Sequence, residues 1–165
     1  VGVLSRETRL KKAIAPILNN YDYIFIDSPP SLGLLTLNSL VASDSIIIPI
    51  QCEFYALEGV SQLMHTLGLI REGLNSSLDI EGVLLTMADY RTNLTTEVIN
   101  EIKEYFKDKV YNAIIPRNIR LSEAPSHGKP ITVYDGTSIG AKKYRELASE
   151  VIGASNKAHN ILNIK

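Results

Sequence analysis

The chain has 165 residues, of which 45% are hydrophobic and 21% charged, with a net charge of −1. That is room for a domain with a real core and argues against a strongly basic nucleic-acid binder, although a local basic patch remains compatible with it. The lone cysteine, Cys52, excludes an internal disulfide, and no apolar run reaches the roughly 18 residues of a membrane span. A reducing compartment, the cytoplasm, is the simplest location. Cys52 has no Cys or His at metal-ligand spacing and reads as a small buried residue at a strand end.

The chain opens on Val1 rather than Met, and a helical pattern follows almost at once, as though it began inside a larger fold. Leu10, Ala13, Ile14, Ile17 and Leu18 predict a helix over 6–18, which Pro16 should end or kink. Residues 21–27 are rich in aromatic and β-branched types and predict a strand, stopped by Ser28 and the prolines Pro29 and Pro30. A short helix is expected over 34–41. Ile46, Ile47, Ile48, Pro49 and Ile50 then form the continuous apolar run of a strand buried on both faces.

Leu57, Val60, Met64, Leu67 and Leu74 mark a long amphipathic helix, and 80–87 a second buried strand. Asn93 or Thr95 is the expected cap of the next helix, whose inner stripe is Val98, Ile102 and Phe106. A strand is expected over 110–115 and a short extended piece over 131–134. The last helix, 138–152, should turn Tyr144, Leu147, Ala148 and Val151 inward, with a polar, disordered tail over 153–165. Strands alternating with helices predict an α/β fold with a mainly parallel, doubly wound sheet, whose ligands bind at the carboxyl ends of the strands.

Asp27 directly follows a predicted buried strand. Such an acid, held at the carboxyl edge of a sheet, can orient Mg²⁺ beside nucleotide phosphates, often through a water; equally, it can cap the next turn. Gly33 gives the following loop freedom to move.

The run YDYIFIDSPPSLG at 21–33 closely resembles the Walker B and switch II segment of ParA/Soj/MinD-type ATPases. The run IPRNIRLSEAPSHGKPI at 115–131 is similar to the C-terminal signature of the ParA/Soj branch, and the stretches around Gln51–Glu53 and 84–93 fall in the family's order. The likeness covers about 21–152. It implies a P-loop NTPase-like α/β fold, with 1–152 the C-terminal part of a single ATPase domain missing its N-terminal strands and phosphate loop.

The resemblance also implies ATP-driven partitioning of chromosomes or plasmids. ATP and Mg²⁺ would be cofactors, a homodimer would form around nucleotide, and DNA would be bound without sequence preference in the nucleoid. A ParB/Spo0J-like centromere-binding partner would stimulate hydrolysis. Asp27 matches the family's Mg²⁺-orienting acid, and Met87, Pro116, Arg117 and Asn118 match the segments that close over adenine. Arg91 and Arg120 match positions linked to DNA binding. Lys142, Lys143 and Arg145 cluster on the last helix and read either as further phosphate contacts or as a solvated face.

One departure is plain: no G-x-x-x-x-G-K-[ST] pattern occurs in the chain. The backbone cradle for phosphates is therefore lacking, and this chain alone is expected not to hydrolyse ATP. In the family the strand leading into that loop lies between the two strands predicted at 24–27 and 46–50, so both should show unpaired edges.

Two alternatives stay open, a non-catalytic binding or dimerisation module and a MinD-like division-site ATPase. The latter usually ends in a basic amphipathic membrane helix, for which the Asn-rich residues 155–165 offer too small an apolar face. Ser126, Glu123 and His127 lie too close in one loop to form a catalytic triad.

Overall fold

The computed structural model describes residues 5–29, 31 and 33–162. Pro30 and Leu32 of the motif, and the last three residues of the expected tail, lie outside the described residues. The chain divides into two compact units. One takes the residues up to Ile46 together with Val60–Ile80; the other takes Ile47–Gly59 and the residues from Glu81 onward.

The first unit opens with a 3-10 turn, Arg6–Thr8, followed by α1 (Arg9–Ile14). Pro16 sits in the first turn of a second 3-10 segment, Ala15–Asn20, so the α-helix stops before the proline as its missing N–H requires. Then comes α2 (Leu34–Ala42). Buried Asn38 ties this helix to the N-terminal segment. Its Nδ2 donates to the carbonyls of Arg6 (2.9 Å) and Leu34 (2.8 Å), and its Oδ1 accepts from the Leu10 N–H (3.1 Å). Buried Asn75, just past α3 (Ala56–Gly73), does the same for the end of α2, donating to the carbonyls of Leu40 and Ser43. Asn75 thereby satisfies carbonyls left open at the C-terminal end of α2.

The expected strand at 21–27 is not a strand. Among the described residues only β1 (Ser45–Gln51) and β2 (Asp79–Thr86) form a sheet, and the 21–27 segment finds no ladder partner. Most of its apolar side chains are exposed, Phe25 at 76%, and Ile26 is half-buried. Aromatic and β-branched content favours extended backbone, but a strand exists only where a neighbour takes its N–H and C=O groups.

In the second unit, most of β1 lies beside β2 in parallel, the exit of one against the exit of the other: the Cys52 N–H donates to the Thr86 carbonyl at 2.9 Å. Pro49, which has no N–H, stands exposed in β1, as suits an edge strand. Val83 and Leu85 of β2 are fully buried and Leu84 nearly so, the pattern of a strand covered on both faces.

The expected strand at 110–115 forms no ladder and is marked only by isolated parallel bridges, Val83–Val110 to β2 and Ala88–Pro116 just past the ends of both segments. Its core face joins Leu84, Tyr111, Ile115 and Val151, with Leu121 and Leu147 against them. Gly82 is a point of close approach, since a Cβ there would clash with the hydroxyl-bearing carbon of the Tyr111 ring.

Helix α4 (Asn93–Phe106) buries Val98, Ile102 and Phe106 as expected, but its cap is Thr92, whose Oγ1 accepts from the Thr95 N–H. Next come α5 (Ile119–Glu123), a 3-10 turn at Ala124–His127 and α6 (Ile131–Tyr134). The sequence predicts extended backbone for α6, yet it is a turn of helix. Pro130 stands at its N-cap, where a missing N–H costs nothing. Helix α7 (Ile139–Leu162) runs on into the segment expected as a tail. Its inward residues are Ala141, Leu147 and Val151, whereas Tyr144 and Ala148 are exposed.

Candidate functional site

Three chain exits meet along the carboxyl edge of the second unit: Gln51–Glu53 after β1, Thr86–Asp89 after β2, and Ile115–Asn118. The Ile115 N–H donates to Leu85 O (2.9 Å) and the Ala88 N–H to Ile115 O (3.2 Å). In a regular parallel ladder the second bond would come from residue 87. One extra residue, Met87, is therefore bulged out of β2, and its φ of 55° places it in the left-handed region. A bulge re-aims a side chain and is favoured beside functional sites; here it leaves the Met87 side chain exposed at the edge.

The Arg117 N–H then donates to Ala88 O at 2.9 Å, closing the turn that carries half-buried Pro116. The Arg117 guanidinium meets Glu53 Oε1 at 3.1 Å. Asn118 has a structural job: its Oδ1 accepts from the Arg120 N–H at 2.9 Å and caps α5. Buried Cys52 lies at the β1 exit, and burial raises its thiol pKa. Thus Met87, Pro116, Arg117 and Asn118, expected from sequence to act together, share one edge of one unit.

Asp27 belongs to the other unit and is exposed, in the segment that forms no strand. Among the described residues no cluster of three or more His, Cys, Asp or Glu could cage a metal. Magnesium needs no such cage, because it binds commonly through one or two carboxylates plus phosphate and water, and a single exposed acid such as Asp27 fits that donor set.

The basic residues singled out by sequence all lie in the second unit and are mostly paired with acids. Arg91 is gripped by Asp89 at two points, Nε to Oδ1 (2.7 Å) and Nη2 to Oδ2 (2.5 Å). The side-chain and backbone bonds from Arg91 hold the Asp89 carboxyl down to about 2. The Asp89 N–H rests on buried Thr95 Oγ1, which anchors the turn to the start of α4. The Arg91 side chain still stands 85% exposed.

Arg120 contacts Glu123 (3.0 Å) and Asp135 (3.5 Å), and Glu123 also accepts from the Tyr134 hydroxyl. Lys143 pairs with Glu146. Arg145 donates to the Gly136 carbonyl at 2.8 Å, and Lys142 is exposed. The His127 ring stacks on Tyr134 with centroids 4.9 Å apart, while Ser126 Oγ donates to the Glu123 carbonyl. Ser126, Glu123 and His127 thus serve the loop's own structure.

Sequence reasoning missed Glu150. From α7 it accepts hydrogen bonds from the N–H groups of Asn112 (2.8 Å) and Ala113 (2.7 Å), and from the Asn112 side-chain amide (3.0 Å). Nothing local in the sequence signals a bond between residues 38 positions apart.

A family model described as an AAA domain matches residues 1–80. The chain is 64% identical over 151 residues to the sporulation initiation inhibitor protein Soj of Bacillus subtilis strain 168, a match spanning 92% of this chain and 60% of that protein. It is 55% identical to the chromosome partitioning protein ParA of Myxococcus xanthus, over 90% of this chain and 52% of the relative. The chain therefore spans just over half the length of the curated relatives it matches.

Among solved structures, cobyrinic acid a,c-diamide synthase from Mycobacterium smegmatis, with bound ATP analogue and magnesium, matches with a TM-score of 0.74 and 34% identity. That match covers 89% of this chain and 54% of the other. The cell division ATPase MinD of Pyrococcus furiosus matches with a TM-score of 0.72 over 89% of this chain and 58% of its own; at 22% identity it bears on the fold alone.

Proposed function

Because the chain belongs to the ParA/Soj family of partitioning proteins, we propose that the whole protein is an ATP-dependent switch for partitioning chromosomes or plasmids. Its fold is the α/β P-loop NTPase fold, with a parallel sheet. The observation that carries the reading is the bulged exit of β2. There Met87 is thrown out at φ 55° beside the Pro116 turn, at the edge where parallel α/β sheets take their ligands. The higher identity to Soj and ParA, against 34% to the synthase, favours partitioning over amide synthesis.

In this reading Met87 and Pro116 offer apolar surface to adenine. Backbone groups of the 116–118 turn read the base edge, and Glu53 holds Arg117 alongside. Asp27 orients Mg²⁺, through a water in the usual case. Bound Mg²⁺ with ATP supplies the phosphoryl chemistry and the charge that must be neutralised.

Nucleotide binding favours a homodimer, and the paired presentation of Arg91, Arg120, Lys142, Lys143 and Arg145 on two subunits gives nonspecific affinity for DNA and association with the nucleoid in the cytoplasm. A ParB/Spo0J-like partner stimulates turnover. No phosphate loop occurs among these 165 residues, so the isolated chain has no turnover of its own.

The test uses the full-length protein. Adenine-nucleotide binding is measured with and without Mg²⁺, and DNA binding with and without ATP, in wild type and Asp27→Ala. The expected result is ATP-dependent DNA binding whose Mg²⁺ dependence disappears in the variant. Nucleotide binding indifferent to Mg²⁺ and to Asp27, or DNA binding indifferent to ATP, would overturn the reading.

A further inference from the structure

The segment at 110–116 does not follow β2 in regular step. The Tyr111 N–H donates to Val83 O at 3.0 Å, and the next rung to β2 is Ile115 N–H to Leu85 O at 2.9 Å. The donors are four residues apart and the acceptors two, so two residues are looped out of the ladder. A regular parallel ladder would send the Ala113 N–H to Leu85 O. The N–H groups of Asn112 and Ala113 go instead to the two oxygens of the Glu150 carboxylate. One charged side chain thus supplies the acceptor that β2 withdraws from Ala113 and takes the Asn112 N–H as well.

We propose that Glu150 is a positioning residue for the base-binding turn. By holding the two-residue bulge at 111–115, it sets the register in which Ile115, Pro116 and Arg117 meet Leu85 and Ala88. The proposal rests on the nucleotide reading above and deepens it. Without an acceptor at the bulge, the simplest relief is for the strand to slip toward regular pairing. Regular pairing is a slip of two residues, which keeps each side chain on its own face but moves it along β2 by two residue steps, roughly 6–7 Å. Pro116 and Arg117 lie directly downstream, so a slip would carry them away from Met87.

Charge-assisted hydrogen bonds of this kind are about twice as strong as neutral ones, and two parallel bonds fix direction as well as energy. Glutamine keeps the shape of the side chain but puts a donating NH₂ where one carboxylate oxygen stood, so in Glu150→Gln one of the two backbone N–H groups faces a donor instead of an acceptor, and the charge is lost. Glu150→Asp keeps the charge and shortens the reach.

The experiment uses full-length protein in wild type, Glu150→Gln and Glu150→Asp. It combines amide hydrogen exchange across 110–118 with the affinity ratio for ATP over GTP. In Glu150→Gln, exchange across the bulge and at Arg117 is expected to rise roughly tenfold, and the ATP/GTP ratio to fall by a similar factor. Exchange in α4 should be unchanged, and Glu150→Asp should recover part of both effects. An unchanged base ratio alongside faster bulge exchange would overturn the positioning role, as would unchanged exchange at Arg117. A wild-type protein that does not prefer adenine would overturn the nucleotide reading itself, and that control is read before any variant.

Discussion

The Arg117 guanidinium and the Glu53 carboxylate meet at 3.1 Å, joining the exit of β1 to the turn that follows the 110–116 segment. Both side chains are about half exposed, at 53% and 55%. A pair so open to water contributes little to stability, typically under about 1 kcal/mol. Its effect is instead to fix where the arginine points. Glu53→Gln is expected to leave the unfolding free energy within about 1 kcal/mol of wild type, while weakening adenine-nucleotide binding in the full-length protein. Chemical denaturation and nucleotide titration of the same sample check both halves.

Tyr111 is buried, and its hydroxyl has no hydrogen-bond partner among the described residues. Burial first, then the charges of Glu81 and Glu150, push its pKa up to about 12. A group whose folded pKa is raised contributes stability below its unfolded pKa, near 10, and that contribution fades as pH rises toward 12. Tyr111→Phe removes both the unpaired hydroxyl and the titration. The variant should be as stable as wild type or more so at neutral pH, by up to about 1–3 kcal/mol. Melting curves of the two proteins should diverge further above pH 10, with the wild type falling first.

Gly82 lies under the same ring, where no Cβ fits. Gly82→Ala should destabilise by roughly 1–3 kcal/mol through overpacking between β2 and Tyr111. Adding Tyr111→Phe should give little relief, because the ring remains, whereas Tyr111→Ala in the same background should recover part of the stability. Denaturant midpoints of the single and double variants decide the comparison.

Asp89 holds Arg91 by two side-chain bonds, and its carboxyl pKa is depressed to about 2. The pair therefore stays charged through the ordinary carboxylate range and breaks only as pH falls toward 2. If Arg91 binds DNA phosphate, Asp89 both aims it and subtracts from its charge. Asp89→Asn should tighten nonspecific DNA binding at low salt. Arg91→Ala should weaken binding and flatten the plot of log affinity against log salt by about one unit for every phosphate that the arginine neutralises. Equal slopes in wild type and Arg91→Ala would remove Arg91 from the DNA surface.

Much of the fold is legible in local periodicity. The stripe Val98, Ile102, Phe106 predicts the inner face of α4, and the apolar run from Ile80 predicts a strand covered on both faces. Pro16 ends α1 for the covalent reason that it lacks an N–H. Expectation and structure part where local preference has no vote. Residues 131–134 have the β-branched look of a strand yet form a turn of helix behind Pro130. The cap of α4 is Thr92 rather than Asn93 or Thr95, because Thr92 sits one step before the helix with its oxygen free to accept.

The sequence by itself determined which residue types recur at which spacing. It thereby determined the α/β alternation, the likeness at 21–33 and 115–131, and the grouping of Met87 with Pro116, Arg117 and Asn118. Tertiary structure alone decided strand pairing and register. Among the described residues it left 21–27 without a ladder partner, threw Met87 out at the exit of β2, and assigned to Glu150 two N–H groups that no neighbouring strand accepts. The physical reason is that a backbone hydrogen bond in a sheet, unlike one in a helix, needs a partner from elsewhere in the chain, and nothing in a strand's own residues says where that partner will stand.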